Sequence, residues 1–421
     1  MTQPEPRKIA LYWHNGRSLG HTSSSAKVAA YLLRSARPHS VAGVTGAYRG
    51  FELLPEDIDL VKIPSFVNRD DPDGWNLRPR LAITEDTLHQ VRTDLITTFL
   101  DAYRPDVLLS SHIPRGTDDE LVPALEKRSA QHSVLTLRGV LFDRAKTWRK
   151  YWSPGRGPWI CDHYCQFNIH THPEVFRLEE YYDVPAAFAE RMHYTGYLAE
   201  PHPLTREEAR ARFNVAPGER LVVAAMGGGQ GAGDLWRALS TALAAHRARF
   251  DRALLVPGPY LEPAELEALR RFWAGRGPGG PDVTIASYQE DLPTWMRAAD
   301  LVLGAAGSNM LGEILAAGAN AVVIPRQIRE IEQQVHAERL QQRGLLRQVP
   351  LTAALCGALT GALQEAFADP LRPDASRLLW QGGSYDRHLP GEGGTSCAHM
   401  RTTVPMPAAE EIPLPVPGGW A

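Results

Sequence analysis

The chain has 421 residues, of which 43% are hydrophobic and 22% are charged, and its formal net charge is −3. This length predicts two ordinary domains with full cores, and the near balance of charge excludes a strong electrostatic attraction to nucleic acid. No apolar run approaches the roughly 20 residues of a membrane span. The N-terminal sequence MTQPEPRKIA lacks the apolar segment of a signal peptide, and four cysteines do not make a disulfide framework. We therefore expect a cytoplasmic protein that binds no nucleic acid and has no integral membrane segment.

The first half of the sequence alternates strand and helix patterns. An apolar run over residues 8–13 predicts a strand, and a helix pattern follows over residues 23–35. Another helix is predicted around residues 94–103. Further strands are predicted at 41–44, 61–63, 107–110, 134–137 and 164–169. Strands that alternate with helices pair in parallel through βαβ crossovers, so residues 1–200 are predicted to form a doubly wound α/β domain.

A second series of the same type follows a stretch rich in proline at residues 194–205, which we interpret as a linker. It begins with a predicted helix at 206–213. Its strands are predicted at 221–225, 253–256, 283–286, 301–303 and 321–324. Residues 201–370 are therefore predicted to form a second doubly wound domain, ending with a helix at 351–368. For residues 371–421 the proline and glycine content predicts a short crossing segment near 378–380 and a largely disordered tail.

A glycine-rich loop joins the first strand of the second domain to its helix. Its sequence is MGGGQGAG over residues 226–233. Glycines permit backbone conformations closed to other residues and let a ligand approach closely, so strand, glycine loop and helix together favour a phosphate site. The loop lacks the Gly-Lys-Ser/Thr ending of a P-loop. A tight turn between strand and helix is the structural alternative.

A second small-residue turn, Ala305 to Ser308, precedes a helix in the same domain. The first turn of a helix exposes backbone N–H groups to which an anion is attracted. Glu313 lies one turn inside this helix, where its carboxylate would reach a ligand hydroxyl. After the next predicted strand, Arg326, Gln327, Glu332 and Gln333 offer donors and acceptors for a polyhydroxylated ligand, although a solvated helix start is the alternative for Glu332 and Gln333.

Two further groups of residues are candidates for chemistry. His14 and His21 flank the loop after the first strand, and a histidine there titrates near neutrality and can take a proton from an attacking hydroxyl. A hydrogen-bonding surface residue is the alternative for a loop histidine, and a cap of the preceding strand is the alternative for His14. Cys161 and Cys165, with histidines nearby, raise the possibility of zinc. The spacing argues against zinc because there is no second cysteine pair.

These motifs together resemble a known family. The GGGQG loop, the run SYQEDLPTWMRAADLVLGAAGSNMLGEILAAG, and EQ before a helix ending LQQRG are similar to the nucleotide-sugar half of MurG-like glycosyltransferases of the GT-B fold. In the first half, PDVLLSSHIPRG, LTLRGVLFD, FNIHTHPEV and HYTGYL resemble an uncharacterised bacterial branch of predicted glycosyltransferases. The resemblance covers roughly residues 8–350.

The resemblance implies two Rossmann-like domains that face each other across a cleft, and a nucleotide-diphospho-sugar, for example a UDP-sugar, as co-substrate without metal or cofactor. His21 would act as the base or as a diphosphate ligand. The first domain would bind the acceptor through His14, His112 and Arg115. The second domain would bind the donor. Its diphosphate would be bound by two loops, which contain Gly227, Gly228, Gly229, Gln230 and Gly231 in the first and Gly307, Ser308, Asn309 and Met310 in the second. Tyr288 and Gln289 would contact the base, Glu313 the ribose, and Glu332 and Gln333 the sugar.

The expected reaction is inverting transfer of a hexose-type sugar to a hydroxyl or amine. The loop HNGRSLGH departs from the multi-glycine loop of the peptidoglycan enzymes, and no apolar stretch suited to membrane docking is evident. We therefore expect a small-molecule acceptor from specialised metabolism. Two alternatives stay open: an epimerase or hydrolase of nucleotide-sugars with the same fold, and a binding protein that has lost transfer.

Overall fold

The computed structural model describes residues 6–14, 19–69, 76–275, 279–326, 331–352, 354–380 and 385–391. Within them the chain forms two large sheets and one two-stranded hairpin, and every strand pair of the two large sheets is parallel. Helices pack on both faces of the sheets. The predicted α/β class with two doubly wound units is therefore confirmed.

The N-terminal sheet has seven strands in the order β3-β2-β1-β6-β7-β8-β9, and β4 and β5 form a separate antiparallel hairpin. The strands are β1 Arg7–Trp13, β2 His39–Thr45, β3 Asp59–Lys62, β4 Phe66–Arg69, β5 Asn76–Pro79, β6 Val107–Ser111, β7 His132–Arg138, β8 Gln166–His170 and β9 Met192–Tyr194. The helices are α1 Gly20–Leu33, α2 Glu85–Tyr103, α3 Val122–Glu126, α4 Arg144–Thr147, α5 Gly157–His163, α6 Leu178–Tyr181 and α7 Ala186–Ala189. A single π-helical turn, Trp148–Trp152, continues α4.

The C-terminal sheet has six strands in the order β12-β11-β10-β13-β14-β15. The strands are β10 Leu221–Ala225, β11 Arg252–Val256, β12 Asp282–Ile285, β13 Leu301–Ala305, β14 Ala321–Ile324 and β15 Arg347–Gln348. The helices are α8 Arg206–Arg212, α9 Gly233–Ala245, α10 Pro263–Ala274, α11 Leu292–Ala298, α12 Ser308–Ala317, α13 Glu332–Gln342 and α14 Leu355–Ala368.

The central strands are apolar along their whole length because both of their faces are covered. On β10, Val223 packs into the core on one face of the sheet, whereas Val222 and Ala224 pack into the core on the other. On β1, Ile9 and Tyr12 divide between two cores in the same way. Successive side chains of a strand point to opposite faces, so a strand with helices on both sides reads as a continuous apolar run rather than an alternating one.

Each sheet has a point where the direction of strand order reverses. In the N-terminal sheet β1 lies between β2 and β6, and in the C-terminal sheet β10 lies between β11 and β13. In open parallel sheets, ligands bind in the crevice at the carboxyl ends of the two strands that flank such a point. The loops after β1 and β6, and those after β10 and β13, are therefore where the fold places its binding sites.

The segment after α14 crosses back to the N-terminal sheet. The Trp380 amide donates to the Tyr197 carbonyl at 2.9 Å, and the Trp380 ring stacks between Tyr31, at 4.8 Å, and Tyr385, at 5.1 Å. Tyr385 and Leu389 are buried in the N-terminal core. Residues 385–391 are thus packed, and the expectation that they belong to a disordered tail is wrong; residues 392–421 lie outside the described residues. The predicted borders at 200 and 370 stay predictions.

The other differences from the sequence-based elements are small. The hairpin of β4 and β5 and the strands β9 and β15 were not predicted, because each of these four strands has four residues or fewer, which is too short for a clear pattern, and β5 also contains a proline. Helix α2 begins at Glu85 rather than near residue 94, after Thr84 caps it through the Thr87 amide at 3.1 Å. Among the described residues, no helix combines the length and apolarity needed to cross a membrane.

Candidate functional site

The two points of strand-order reversal face each other, because the N-terminus of α1 meets the N-terminus of α12. The Asn309 side-chain amide donates to the Gly20 carbonyl at 3.0 Å, and the Ser24 hydroxyl donates to Asn309 Oδ1 at 3.2 Å. The glycine-rich loop also approaches α1, since a Cβ added at Gly228 would lie 3.8 Å from the Leu19 nitrogen. The predicted donor loops and the predicted base therefore belong to one site between the domains.

Two glycines of the glycine-rich loop, Gly227 and Gly229, differ in their surroundings. Gly229 has a φ of 82°, and its missing Cβ makes room for the Pro257 carbonyl oxygen. At this position glycine is required by the packing of two loops of the protein, which is the structural alternative raised from the sequence. Gly227, with a φ of 62°, has no atom within 4 Å of its would-be Cβ. The backbone at Gly227 is therefore open to a ligand.

The start of α12 presents backbone amides without a side-chain cap. Gly307 is the residue before the helix and has no side chain to cap it, and its carbonyl accepts from the Leu311 amide at 2.9 Å. The Met310 side chain is 7% exposed and packs beneath Gly304, so only its backbone faces the first turn. The amides of Ser308 and Asn309 complete that turn, which is the type of feature that attracts a phosphate.

Glu313 lies on α12 one turn beyond these amides, as predicted, but it already has a partner. Its Oε1 lies 2.9 Å from Lys27 Nζ on α1, and each side chain is about four-fifths buried. The same face of α12 therefore carries the amides and the carboxylate that the resemblance assigns to the donor. A ribose hydroxyl would share the Glu313 carboxylate with Lys27, since an ionised carboxylate accepts several hydrogen bonds.

Glu332 and Gln333 are held by the protein rather than displayed on a solvated helix start. Glu332 is 3% exposed and forms an ion pair with Arg138 at the end of β7. Gln333 Oε1 accepts from the Arg326 amide at 2.9 Å, and the Arg326 guanidinium donates to the Gln230 carbonyl. The solvated alternative is therefore wrong for Glu332, and Gln333 stabilises the loop after β14. Gln327 lies outside the described residues.

The predicted base-contacting residues lie farther along the same edge. Tyr288 and Gln289 follow β12, the outermost strand of the C-terminal sheet, and the Tyr288 side chain is 43% exposed. Because β12 runs parallel to β11 and β10, its carboxyl end shares an edge with the glycine-rich loop. Both residues remain accessible to a ligand at that edge.

Three histidines meet at the reversal point of the N-terminal sheet. His14 follows β1, His112 follows β6, and His21 is the second residue of α1. The ring centroids of His14 and His21 are 4.0 Å apart, and those of His21 and His112 are 5.7 Å apart. Arg138 donates to His112 Nε2 at 3.0 Å, so in this hydrogen bond Nε2 of His112 is unprotonated. The structure thus brings His14 and His112 to the predicted base.

All three histidines favour the neutral form. Burial, with a smaller contribution from the positive charge of Arg138, lowers the pKa of His14 to about 3. Burial also lowers the pKa of His21 and of His112 well below 6.5, with smaller contributions from their neighbours in the cluster and from Arg138. A neutral imidazole at neutral pH can accept a proton, which is the state that a general base requires.

Arg115 is not brought to this cluster. Its guanidinium pairs with Asp119 at 2.9 Å and lies 4.5 Å from the centre of the Trp159 ring. These contacts hold it within its own loop and against α5. Its predicted role in acceptor binding stays a prediction that this geometry does not favour.

Three residues of the site were missed from the sequence. Lys27, Arg138 and Phe142 contact Glu313, Glu332 and His112 respectively, the last with ring centroids 5.7 Å apart. A signal existed for Arg138, because a charged residue directly at the end of a buried strand lies at the edge where such sheets bind ligands. Lys27 carried no signal, since a lysine in a helix is most often solvated.

The cysteines do not form a metal site. Cys161 lies buried in α5, where burial raises its thiol pKa to about 11, and Cys165 donates through its thiol to the Ser133 carbonyl at 3.3 Å. Within the described part of the chain, no group of three or more histidine, cysteine, aspartate or glutamate side chains is arranged to hold a metal ion. Independence from metal stays a prediction.

The sequence of the C-terminal half matches a family model. Residues 222–377 match the glycosyltransferase family 28 C-terminal domain. This part of the chain is therefore similar to the C-terminal domain of that family. A UDP-N-acetylglucosamine–N-acetylmuramyl-(pentapeptide) pyrophosphoryl-undecaprenol N-acetylglucosamine transferase from Acidothermus cellulolyticus is 33% identical over 181 residues, which are 42% of this chain and 46% of the relative. The chain thus matches less than half the length of this curated relative.

Solved structures agree with the fold over almost the whole chain. The calicheamicin glycosyltransferase CalG4 has a TM-score of 0.58 at 17% identity, covering 91% of this chain and 97% of that one. MurG from Acinetobacter baumannii has a TM-score of 0.56 at 15% identity, covering 91% and 95%. The GT-B fold and the resemblance of residues 222–377 to MurG are therefore confirmed. The predicted donor loops lie inside residues 222–377, whereas the histidine cluster lies outside them.

Proposed function

We propose that the protein is a cytoplasmic glycosyltransferase that moves a hexose-type sugar from a nucleotide-diphospho-sugar to a hydroxyl or amine of a small-molecule acceptor. The observation that carries the proposal is the meeting of α1 and α12, where the buried histidines adjoin an uncapped helix N-terminus within the region that matches family 28. A base beside an anion-binding turn is what direct displacement of a diphosphate requires.

In the proposed reaction, the acceptor oxygen or nitrogen forms a bond to the anomeric carbon on the side opposite the diphosphate. The bond from that carbon to the diphosphate oxygen breaks, and its electron pair leaves with the diphosphate. The acceptor proton passes to His21. This displacement inverts the anomeric configuration. The amides of Ser308, Asn309 and Met310 would bind the departing charge at the start of α12, as a metal ion does in other enzymes.

The acceptor class rests on the N-terminal half. The name of the Acidothermus relative specifies a pyrophosphoryl-undecaprenol acceptor, but the match covers 46% of that protein. The loop HNGRSLGH, which begins with His14 and ends with His21, departs from the multi-glycine loop of the peptidoglycan enzymes. This difference supports an acceptor other than the lipid.

The test is incubation of the protein with UDP-, dTDP- and GDP-sugars and a panel of phenolic, alcoholic and amine acceptors, with and without EDTA. We expect a glycosylated product from one nucleotide class, of inverted anomeric configuration and unaffected by EDTA. An altered or free sugar formed without acceptor would establish the epimerase or hydrolase alternative instead. Calorimetric binding of a nucleotide-sugar without turnover of any acceptor would favour the binding protein.

A further inference from the structure

Arg326 brings a positive charge to the glycine-rich loop, and none of the described acidic side chains pairs with it. Its guanidinium donates to the Gln230 carbonyl, and a Cβ added at Gly231 would lie 3.7 Å from its Nη2 atom. The Arg326 amide donates to Gln333 Oε1 at 2.9 Å, which fixes the backbone after β14. A guanidinium has five N–H donors in a planar fork. The Gln230 carbonyl uses only the Nη2 side of that fork and leaves the rest to a ligand.

The chain does not compensate the burial of this charge. Burial lowers the pKa of Arg326, and no carboxylate of the described residues opposes that effect. Burial acts on Arg92 as well, but the hydrogen bonds and charge of Glu120 act against it, and the pKa of Arg92 is raised. A partly buried cation without an anion costs free energy that a paired one recovers. The anion for Arg326 is therefore expected to come from a ligand.

The start of α9, directly after the glycine-rich loop, already has a carboxylate beside it. A Cβ added at Gly233, the first residue of α9, would collide with the Glu265 carboxylate. Glu265 Oε2 is buried and accepts no hydrogen bond within the described chain. This negative charge interacts favourably with the helix N-terminus and repels a second anion there. A phosphate bound to this loop would need a positive charge to offset Glu265, and Arg326 supplies it.

We propose that the Arg326 guanidinium binds the diphosphate of the donor and stabilises the negative charge that develops on it during transfer. This inference rests on the proposed transferase function and adds a catalytic residue to its donor site. The bond between the anomeric carbon and the diphosphate oxygen breaks with its electron pair on that oxygen, and the acceptor proton passes to His21. Arg326 keeps its own protons throughout, because a guanidinium stays charged in proteins, and acts through charge and hydrogen bonds.

The charge of Arg326 selects a phosphate over the sugar hydroxyls that its position also suggested from the sequence. A hydroxyl accepts a hydrogen bond from a guanidinium, but it brings no negative charge to offset the buried cation. Two phosphate oxygens match the spacing of the guanidinium fork and form parallel, charge-assisted hydrogen bonds with it. The amides at the start of α12 offer partial charges only, so a full positive charge adds to what they provide.

The test compares Arg326→Gln and Arg326→Lys with Arg247→Gln, which removes the same charge from an exposed position after α9. Calorimetry measures the binding of pyrophosphate, of UDP, dTDP and GDP, and of the matching nucleosides. Arg326→Gln should bind pyrophosphate and the preferred nucleoside diphosphate about tenfold more weakly, because charge-assisted hydrogen bonds are lost. Its affinity for the nucleoside should not change. Arg326→Lys should keep part of the phosphate affinity, since it keeps the charge without the fork, and Arg247→Gln should behave as the unaltered protein.

Two further measurements separate catalysis from structure. At saturating donor, the kcat of Arg326→Gln should fall about tenfold, because the charge on the diphosphate grows toward the transition state. An unchanged kcat would reject the catalytic role. The urea midpoint of this variant should not decrease, because the cation that it removes has no carboxylate partner in the described chain. A lower midpoint with unchanged pyrophosphate affinity would show that Arg326 only braces the Gln230 carbonyl, and would overturn the inference.

Pyrophosphate also separates this inference from the proposed function. Equal pyrophosphate affinity of the unaltered protein and Arg326→Gln would overturn the inference, and so would an equal loss in Arg247→Gln. If the unaltered protein binds a nucleotide that Arg326→Gln binds equally well, the transferase stands and the inference fails. If pyrophosphate binds through Arg326 while no nucleotide binds, the transferase fails and the anion site remains.

Discussion

Lys27 and Glu313, which are 286 residues apart in the sequence, form an ion pair of 2.9 Å between two helices. The pair joins α1 of the first domain to α12 of the second. It involves one oxygen of the carboxylate that the family resemblance assigns to the donor ribose. A ribose bound there would share Glu313 with Lys27.

Lys27→Met should raise the affinity for uridine about threefold, because the lysine then no longer competes with the ribose for Glu313. The gain is small because a partly exposed ion pair contributes less than about 1 kcal/mol. Glu313→Gln should lower the affinity for uridine, since a neutral amide accepts a weaker hydrogen bond. Uridine is the appropriate ligand for calorimetry because it has no phosphate for Lys27 to attract. Weaker uridine binding by Lys27→Met would mean that the lysine itself contacts the nucleoside.

Glu332→Met should destabilise the protein by about 2 kcal/mol, because it leaves the Arg138 charge, about three-quarters buried, without its carboxylate. The double variant Arg138→Met/Glu332→Met should cost less than the sum of the two single variants. Urea unfolding of all four proteins gives the coupling energy.

Arg177 and Glu180 provide the exposed control for that cycle. Their side chains are 48% and 72% exposed at 3.7 Å. Their coupling energy should be below about 1 kcal/mol, as for other surface pairs. A similar coupling for both pairs would show that burial of Glu332 has no energetic consequence.

Gly229→Ala should destabilise the fold by more than 2 kcal/mol, roughly the sum of a left-handed backbone and a steric conflict. The conflict is with the Pro257 carbonyl oxygen. Gly227→Ala should cost only about 1 kcal/mol, because only the backbone conformation is penalised. Thermal unfolding measures both. If Gly227 faces the diphosphate, its variant should nevertheless lose UDP affinity, and retention of that affinity would place the phosphates elsewhere.

The pH dependence of transfer should show the lowered pKa of His21. The base must be neutral, and burial keeps it neutral at pH values where an ordinary histidine, with a pKa of 6.5, is protonated. The acidic limb of kcat/KM should therefore lie below pH 6.5. His21→Gln should abolish transfer and leave UDP affinity intact. Normal turnover of this variant would remove His21 as the base.

The free energy of unfolding should also decrease as the pH is lowered. Burial lowers the pKa of His14 to about 3 and of His336 to about 4, so between these values and 6.5 the unfolded chain binds more protons than the folded one. The contribution of both residues is complete above pH 6.5 and is lost as the pH falls. Urea midpoints measured from pH 7.5 to pH 5 should decrease, and a flat profile would contradict the burial of these rings.

The sequence predicted those candidate site residues that lie at the ends of strands or in the helices that follow them. His14, Gly227 and Glu313 could be placed because the carboxyl ends of parallel strands, and the helices that follow them, share one edge of a sheet. Their neighbourhood followed from topology alone.

The contacts between the domains could not be predicted. The ion pairs of Lys27 with Glu313 and of Arg138 with Glu332 depend on how two separately folded sheets approach each other, and no local pattern encodes that approach. For Glu332 the local pattern favoured a solvated helix start, yet the side chain is 3% exposed. The packing of residues 385–391 could not be predicted for the same reason, since Tyr385 contacts the distant β8 and α1 as well as Trp380.

The stacking of Tyr31, Trp380 and Tyr385 makes the first domain dependent on the last described residues. During synthesis, Tyr31 emerges long before its partner ring of Trp380. The face of the N-terminal domain around Tyr31 therefore stays uncovered until the whole C-terminal domain has been synthesised. A fragment ending near residue 370 would lack Trp380 and Tyr385 and would therefore expose an apolar face on its N-terminal domain.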